Sequence, residues 1–159
     1  GLLVDLAVQE KRKGKSLEEV ASFVQETIPH LCHWFTVGDL SQLRRGGRLS
    51  AGKAIVGNLL NIKPFSTWTM RGAWCPWSLP RGGRSRWKPW YAIWRRPPLP
   101  RKPSEFTSAW DCLGDAEVLA AAIQSKLGVA SVTIGDVGPV IGAHSGLGTL
   151  ALFFLGKER

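Results

Sequence analysis

Apolar residues recur along this chain at two periods, close to 3.6 and close to 2, and the switches between them outline its elements. Leu2, Leu3, Leu6 and Ala7 have helical spacing, and the basic cluster Lys11 to Lys15 suits the C-terminal end of that helix. The pattern opens in mid-run, without a Met or a cap, so it reads as a helix entered part-way and the chain as a piece of a longer protein. Ser16 with Glu19 forms a capping box, and Leu17, Val20, Ala21, Val24 and Ile28 make one apolar face that Pro29 ends. His33 to Val37 is rich in aromatic and β-branched residues and predicts a short strand. Asp39 can cap a short helix carrying Leu40 and Leu43, with Arg44 and Arg45 at its end and Gly46 as the stop. Ser50 predicts another helix, with Ala51, Ala54, Ile55 and Leu59 on its face, and Asn61 to Pro64 should lead into a strand. Asp115 is expected to cap a helix with Leu119, Ala122, Ile123 and Leu127 on one side, closed by Gly128. Val129 to Ile134 and Leu150 to Leu155 predict strands, the last fully buried.

Strands alternating with helices give an α/β (α+β) fold, a mixed sheet covered by helices. A length of 159 residues suits one domain with a modest core, or part of a two-domain protein. No apolar run reaches the length of a membrane span and no signal-peptide pattern precedes the first helix, so a cytoplasmic protein is expected. Cys32, Cys75 and Cys112 are odd in number and widely spaced, which suits buried or incidental thiols better than a disulfide or zinc site.

Charge is distributed very unevenly. Between Pro64 and Trp110 stand seven of the eight Trp, eight of the ten Pro and nine of the 21 Lys and Arg, against Glu105 as the one acidic residue. Outside that block 12 basic residues face 11 acidic ones, so the formal +9 is local to the block. A basic chain ordinarily suggests nucleic acid or an anionic membrane as partner, and interleaved Arg and Trp can serve either by stacking and phosphate contact. Here the block shows no stacking-platform motif or regular helical face, and Pro97-Pro-Leu-Pro100 forbids a continuous helix.

Candidate chemistry lies nearer the C-terminus. Gly138, Gly142, Gly146 and Gly148 fall between two predicted strands, where glycines permit positive φ and leave N–H groups to point at an anion. His144 is central to that loop, although the residues alone favour a tight turn with a solvent-facing His. Arg48, in Arg45-Gly-Gly-Arg48, can face an anion or satisfy helix-end carbonyls. His30 and His33 read as structural. No nucleophile stands with a base, no metal cluster or P-loop is present, and neither an enzyme nor a cofactor or metal is expected.

The segment Asp39-Leu-Ser-Gln-Leu-Arg-Arg-Gly-Gly-Arg-Leu-Ser50 followed by Ile55-Val-Gly-Asn-Leu-Leu-Asn-Ile-Lys-Pro64 resembles the DegV family of fatty-acid-binding proteins, as does Gly138-Pro-Val-Ile-Gly-Ala-His-Ser-Gly-Leu-Gly-Thr149. The resemblance covers residues 1–64 and 111–159 and lapses between them. It implies the C-terminal half of a two-domain protein that clasps a long-chain fatty acid between its domains and, in several bacteria, presents the carboxylate to a fatty-acid kinase without doing chemistry itself. It places His144 near the lipid carboxylate, with Gly142 and Ser145 of the same motif, and Arg48 near the cleft. Leu147 departs from the Pro usual in the family. Ile55, Val56, Leu59 and Leu60 can line an acyl slot or form plain core.

Where the resemblance lapses, the genetic code offers a reading. Trp has the single codon TGG, so a frame begun one nucleotide earlier gives Leu, Val or Met, followed by a codon starting with G. Trp74-Cys-Pro-Trp77-Ser78 then permits Leu-Val-Pro-Val-Glu, which is the family's usual second strand here. Thr67 to Gly72 permits Val-Asp-Asp-Glu-Gly, a turn, and Phe106 to Trp110 permits the strand Ile-Tyr-Ile-Ser-Leu-Gly. Trp87-Lys-Pro-Trp90 becomes residues that suit an amphipathic helix. Residues from about 65 to 110 thus read as out of frame between two compensating lesions, and as written they are expected to be irregular. The function expected is fatty-acid binding, with no nucleic acid as partner and no transmembrane segment; a basic module for nucleic acid or anionic membrane and a non-lipid interaction domain are the alternatives.

Overall fold

The computed structural model describes residues 1–47, 65–68, 74–78, 105–109, 112–129 and 131–156. The helix expected from Ser50, the approach to a strand at 61–64 and the apolar residues Ile55, Val56, Leu59 and Leu60 lie outside them.

Two helices open the fold, α1 (Leu2–Arg12) and α2 (Leu17–Thr27). Their connection turns at Gly14, whose φ of 86° suits a residue without Cβ. The capping box forms in both directions: Ser16 N–H donates to Glu19 Oε2 at 2.7 Å and Glu19 N–H to Ser16 Oγ at 3.3 Å. Pro29 closes α2 through a single 3₁₀ turn (Ile28–His30) into β1 (Leu31–Thr36).

A six-stranded mixed sheet follows, in the order β3-β2-β1-β6-β4-β5, built from β1 with β2 (Phe65–Trp68), β3 (Trp74–Ser78), β4 (Glu105–Ala109), β5 (Val132–Asp136) and β6 (Leu150–Leu155). β1 pairs antiparallel with β2 on one side and β6 on the other, in register Trp34 with Thr67 and Trp34 with Leu152. β4 pairs antiparallel with β6 and parallel with β5, and the parallel step is bridged by helix α4 (Leu113–Leu127).

The expectation of an irregular block over 65–110 is corrected at β2, β3 and β4. β1 and β6 lie inside the sheet, so the backbone groups on their outer sides need partners, and strands β2 and β4 supply them. Pro76, which has no N–H to donate, falls on the edge strand β3, where a lost ladder bond is tolerated.

Alternation along β6 sends its residues to two cores. Leu150, Leu152 and Phe154 pack with Cys32 of β1 and with Ala116, Leu119 and Ile123 of α4. Ala151 faces the other way and packs with Phe35, Val37, Leu40 and Leu43, while Phe153 meets the His33 ring edge-on at 5.2 Å. His33 is therefore structural, as its position in β1 suggests. Helix α4 starts earlier than Asp115: Cys112 is its N-cap, its carbonyl accepting from Asp115 N–H at 3.0 Å and Ala116 N–H at 3.1 Å. The predicted strand over 129–134 runs instead over 132–136, leaving Val129 as a buried link behind Gly128.

Candidate functional site

Two short helices meet beside the carboxyl end of β1 and the amino end of β6. The first, α3 (Leu40–Arg45), is capped by Asp39, whose Oδ1 accepts from Ser41 N–H at 2.9 Å, and Leu40 and Leu43 anchor it to the sheet. The second, α5 (Pro139–Ser145), replaces the glycine-rich loop expected there. Its start has a legible cause in Pro139, which occupies the first helical position, where its fixed φ fits and its missing N–H is not needed.

That helix changes what the glycines do. Gly142 N–H donates to the Gly138 carbonyl at 2.9 Å and Gly146 N–H to the Gly142 carbonyl at 2.8 Å, so these two are engaged inside the helix and are not aimed at an anion. Gly142 is buried. Ser145 is buried as well, its Oγ donating to the Ile141 carbonyl at 2.8 Å. His144 stands exposed on the last turn of α5, while Arg48 lies outside the described residues.

Two close approaches lock the helices together. A Cβ added at Gly46, the C-cap of α3, would lie 2.8 Å from His144 Nδ1, so the imidazole rests directly against that backbone. A Cβ at Gly38 would lie 2.5 Å from the Leu147 carbonyl oxygen, so the links before α3 and after α5 touch main chain to main chain. Thr149, buried, donates from Oγ1 to the Gly146 carbonyl at 2.7 Å, and the Cys112 thiol reaches the Thr149 carbonyl at 3.2 Å. The result is a rigid corner with His144 at its rim, exposed Arg44 and Arg45 on α3, and Val140, Ile141 and Leu147 open to solvent around it. Those three apolar residues went unnoticed in the sequence; Leu147 stood out there only as a departure from Pro.

A corner of this kind joins a hydrogen-bonding imidazole to basic and apolar surface, the combination an amphiphilic anion requires. Among the described residues no group of three His, Cys, Asp or Glu side chains is placed to hold a metal, and no helix is long and apolar enough to cross a membrane.

The family model described as uncharacterised protein, DegV family, matches residues 1–157. The chain belongs to the DegV family. The matched span includes residues 65–110, where the sequence motifs lapse. A DegV domain-containing protein of Clostridium perfringens is 41% identical over 160 residues, covering 100% of this chain and 55% of that protein. The chain thus spans about half the length of the curated DegV relatives it matches. The fatty acid binding DegV family protein of Streptococcus agalactiae is 28% identical, with a TM-score of 0.78 over 98% of this chain and 55% of that one. The Streptococcus pneumoniae fatty acid kinase (Fak) B3 protein, solved with linoleic acid, has the same fold: TM-score 0.87 at 18% identity, over 98% of this chain and 55% of that one.

Proposed function

We propose that this chain forms one side of a fatty-acid-binding cleft, in a carrier that holds a long-chain acyl group and offers its carboxylate to a kinase without itself catalysing a reaction. The observation that carries this reading is the seating of His144 against Gly46, which brings α5 and the C-terminus of α3 to one rim in a member of a family with a fatty-acid-binding structure at 28% identity. In it His144 donates a hydrogen bond to the carboxylate, Arg48 adds a guanidinium, and Gly142 and Ser145 hold the histidine's helix in place from within. The name of the linoleic-acid-loaded Streptococcus pneumoniae fatty acid kinase (Fak) B3 protein supports a kinase as the kind of partner.

The test uses a chimera that supplies the unmatched part of the Clostridium perfringens relative ahead of Gly1. Long-chain fatty acid should copurify with it, and His144→Ala should weaken retention roughly tenfold, as loss of one hydrogen bond to a charged group implies. Retention unchanged by His144→Ala would remove His144 from the site, and a chimera that takes up no lipid would sink the reading.

The Trp- and Arg-rich block bears on how this function is encoded. We infer that residues from about 65 to 110 are translated out of frame. The shifted frame puts Leu-Val-Pro-Val-Glu at 74–78, where β3 lies. It puts Ile-Tyr-Ile-Ser over 106–109, within β4. Independent resequencing across the codons for residues 60–115 should reveal one base gained or lost near each end. If the recorded frame stands, the block is genuine and its nucleic-acid and anionic-lipid binding become the properties to measure.

A further inference from the structure

The histidine at the rim is held by a contact that begins one turn back on α3. Gln42 and Gly46 stand four residues apart on one face of that helix, tied together by the Gly46 N–H, which donates to the Gln42 carbonyl at 2.9 Å. Both press on the end of α5. A Cβ added at Gly146, the C-cap of α5, would lie 2.5 Å from Gln42 Cγ and 3.1 Å from its Cβ, so the half-buried Gln42 stem rests on a buried glycine. The Cβ that Gly46 lacks would meet His144 Nδ1 first, at 2.8 Å, with the ring Cγ at 3.6 Å. The Nδ1 edge of the imidazole therefore lies against α3, and Nε2, across the ring, is the nitrogen turned away from it. His144 is exposed, and among the described residues no hydrogen bond is seen for its ring or for the Gln42 carboxamide.

An exposed side chain that moves among rotamers loses affinity when a ligand must order it, and one ordered beforehand does not. Here the ordering is done by shape. Glycine at 46 and 146 lets α3 and α5 approach this closely, and the Gln42 stem fixes how α5 ends against its neighbour. We propose that Gln42 is a positioning residue for His144, seating α5 so that Nδ1 stays against Gly46 and Nε2 is the donor offered to the carboxylate, a role that rests on the fatty-acid reading. Gln42 acts by packing through its Cβ and Cγ on Gly146, and its amide takes no part.

The chain has three histidines, so heteronuclear NMR reads three imidazoles and His144→Ala identifies the one of interest. In the chain alone, Gln42→Ala should shift and broaden the His144 ring signals. Gln42→Met, which keeps Cβ and Cγ but lacks the amide, should leave them in place. In the chimera carrying the unmatched Clostridium perfringens part, added oleic acid should move the Nε2 resonance of His144 far more than that of Nδ1. There Gln42→Ala should weaken oleic acid retention at least about threefold but add nothing in a His144→Ala background, as expected of two residues that share one contact. Gln42→Met should retain oleic acid as the unaltered chimera does. His144 ring signals that ignore Gln42→Ala in the chain alone overturn the proposal. So does a Gln42→Ala loss of the same size with and without His144, or a response to oleic acid at Nδ1. A chimera that takes up no lipid sinks the fatty-acid reading, and the ring signals of the chain alone then still decide whether Gln42 positions His144.

Discussion

Helices α2 and α4 carry the same kind of message in sequence, an apolar stripe at helical spacing, and meet opposite fates. On α4, Ala116, Leu119 and Ile123 are 0%, 2% and 3% exposed against the sheet, whereas on α2 the stripe beginning at Leu17 faces an open trough. Amphipathicity therefore states that a face requires cover and is silent about which segment provides it. α4 follows directly on β4 and bridges it to β5, which lays it on the sheet, where β6 and Cys32 of β1 cover its stripe; among the described residues nothing comparable covers the α2 face.

The contrast can be broken at α4 with the largest effect. Leu119→Ala should cost about 3 kcal/mol, from lost transfer energy plus the cavity left among Leu150, Leu152 and Phe154. A calorimetric midpoint lowered by several degrees checks it. A smaller effect is expected on the hairpin: Ser16→Ala removes half of the capping box and should cost about 1 kcal/mol. Because the hairpin joins neither core cluster, that loss should appear as faster amide exchange in 17–27, with the core amides of β6 unaffected. Smallest of all is Leu17→Asp in the chain alone, within about 0.5 kcal/mol by chemical denaturation, as for other exposed positions. A large loss there would mean that α2 is sealed after all.

How much of this was legible depends on where the deciding interactions lie. The capping box, the stop at Pro29, the Asp39 cap and the strand at Leu150 to Leu155 rest on neighbours in sequence and are found where predicted, although Phe153 and Leu155 of that strand are half-buried and not fully buried. The helix over Pro139–Ser145 was hidden by its glycines, because Gly142 lowers local helix propensity and only contact with α3 makes the turn worthwhile. Pro139 at the first helical position was the available signal. Strands β2, β3 and β4 were legible only in part: the residues as written show too little pattern of their own, a strand was expected only after Pro64 and, in the shifted frame, at 74–78 and 106–110, and the pairing of β2 and β4 is with β1 and β6. At the site, His144 stands at the rim, but much of the glycine loop is a helix in which Gly142 and Gly146 give their N–H groups to helix carbonyls.

The sheet order also governs how the molecule comes together. β6 is the last strand in sequence and lies between β1 and β4. Without it the sheet is two fragments, β3-β2-β1 and β4-β5, each with an unsatisfied inner edge. On the ribosome those fragments wait until residues 150–155 emerge, and joining β1 to β6 closes a loop from Leu31 to Leu155, a slow long-range step. During that interval the two inner edges are what a chaperone must shield from other chains.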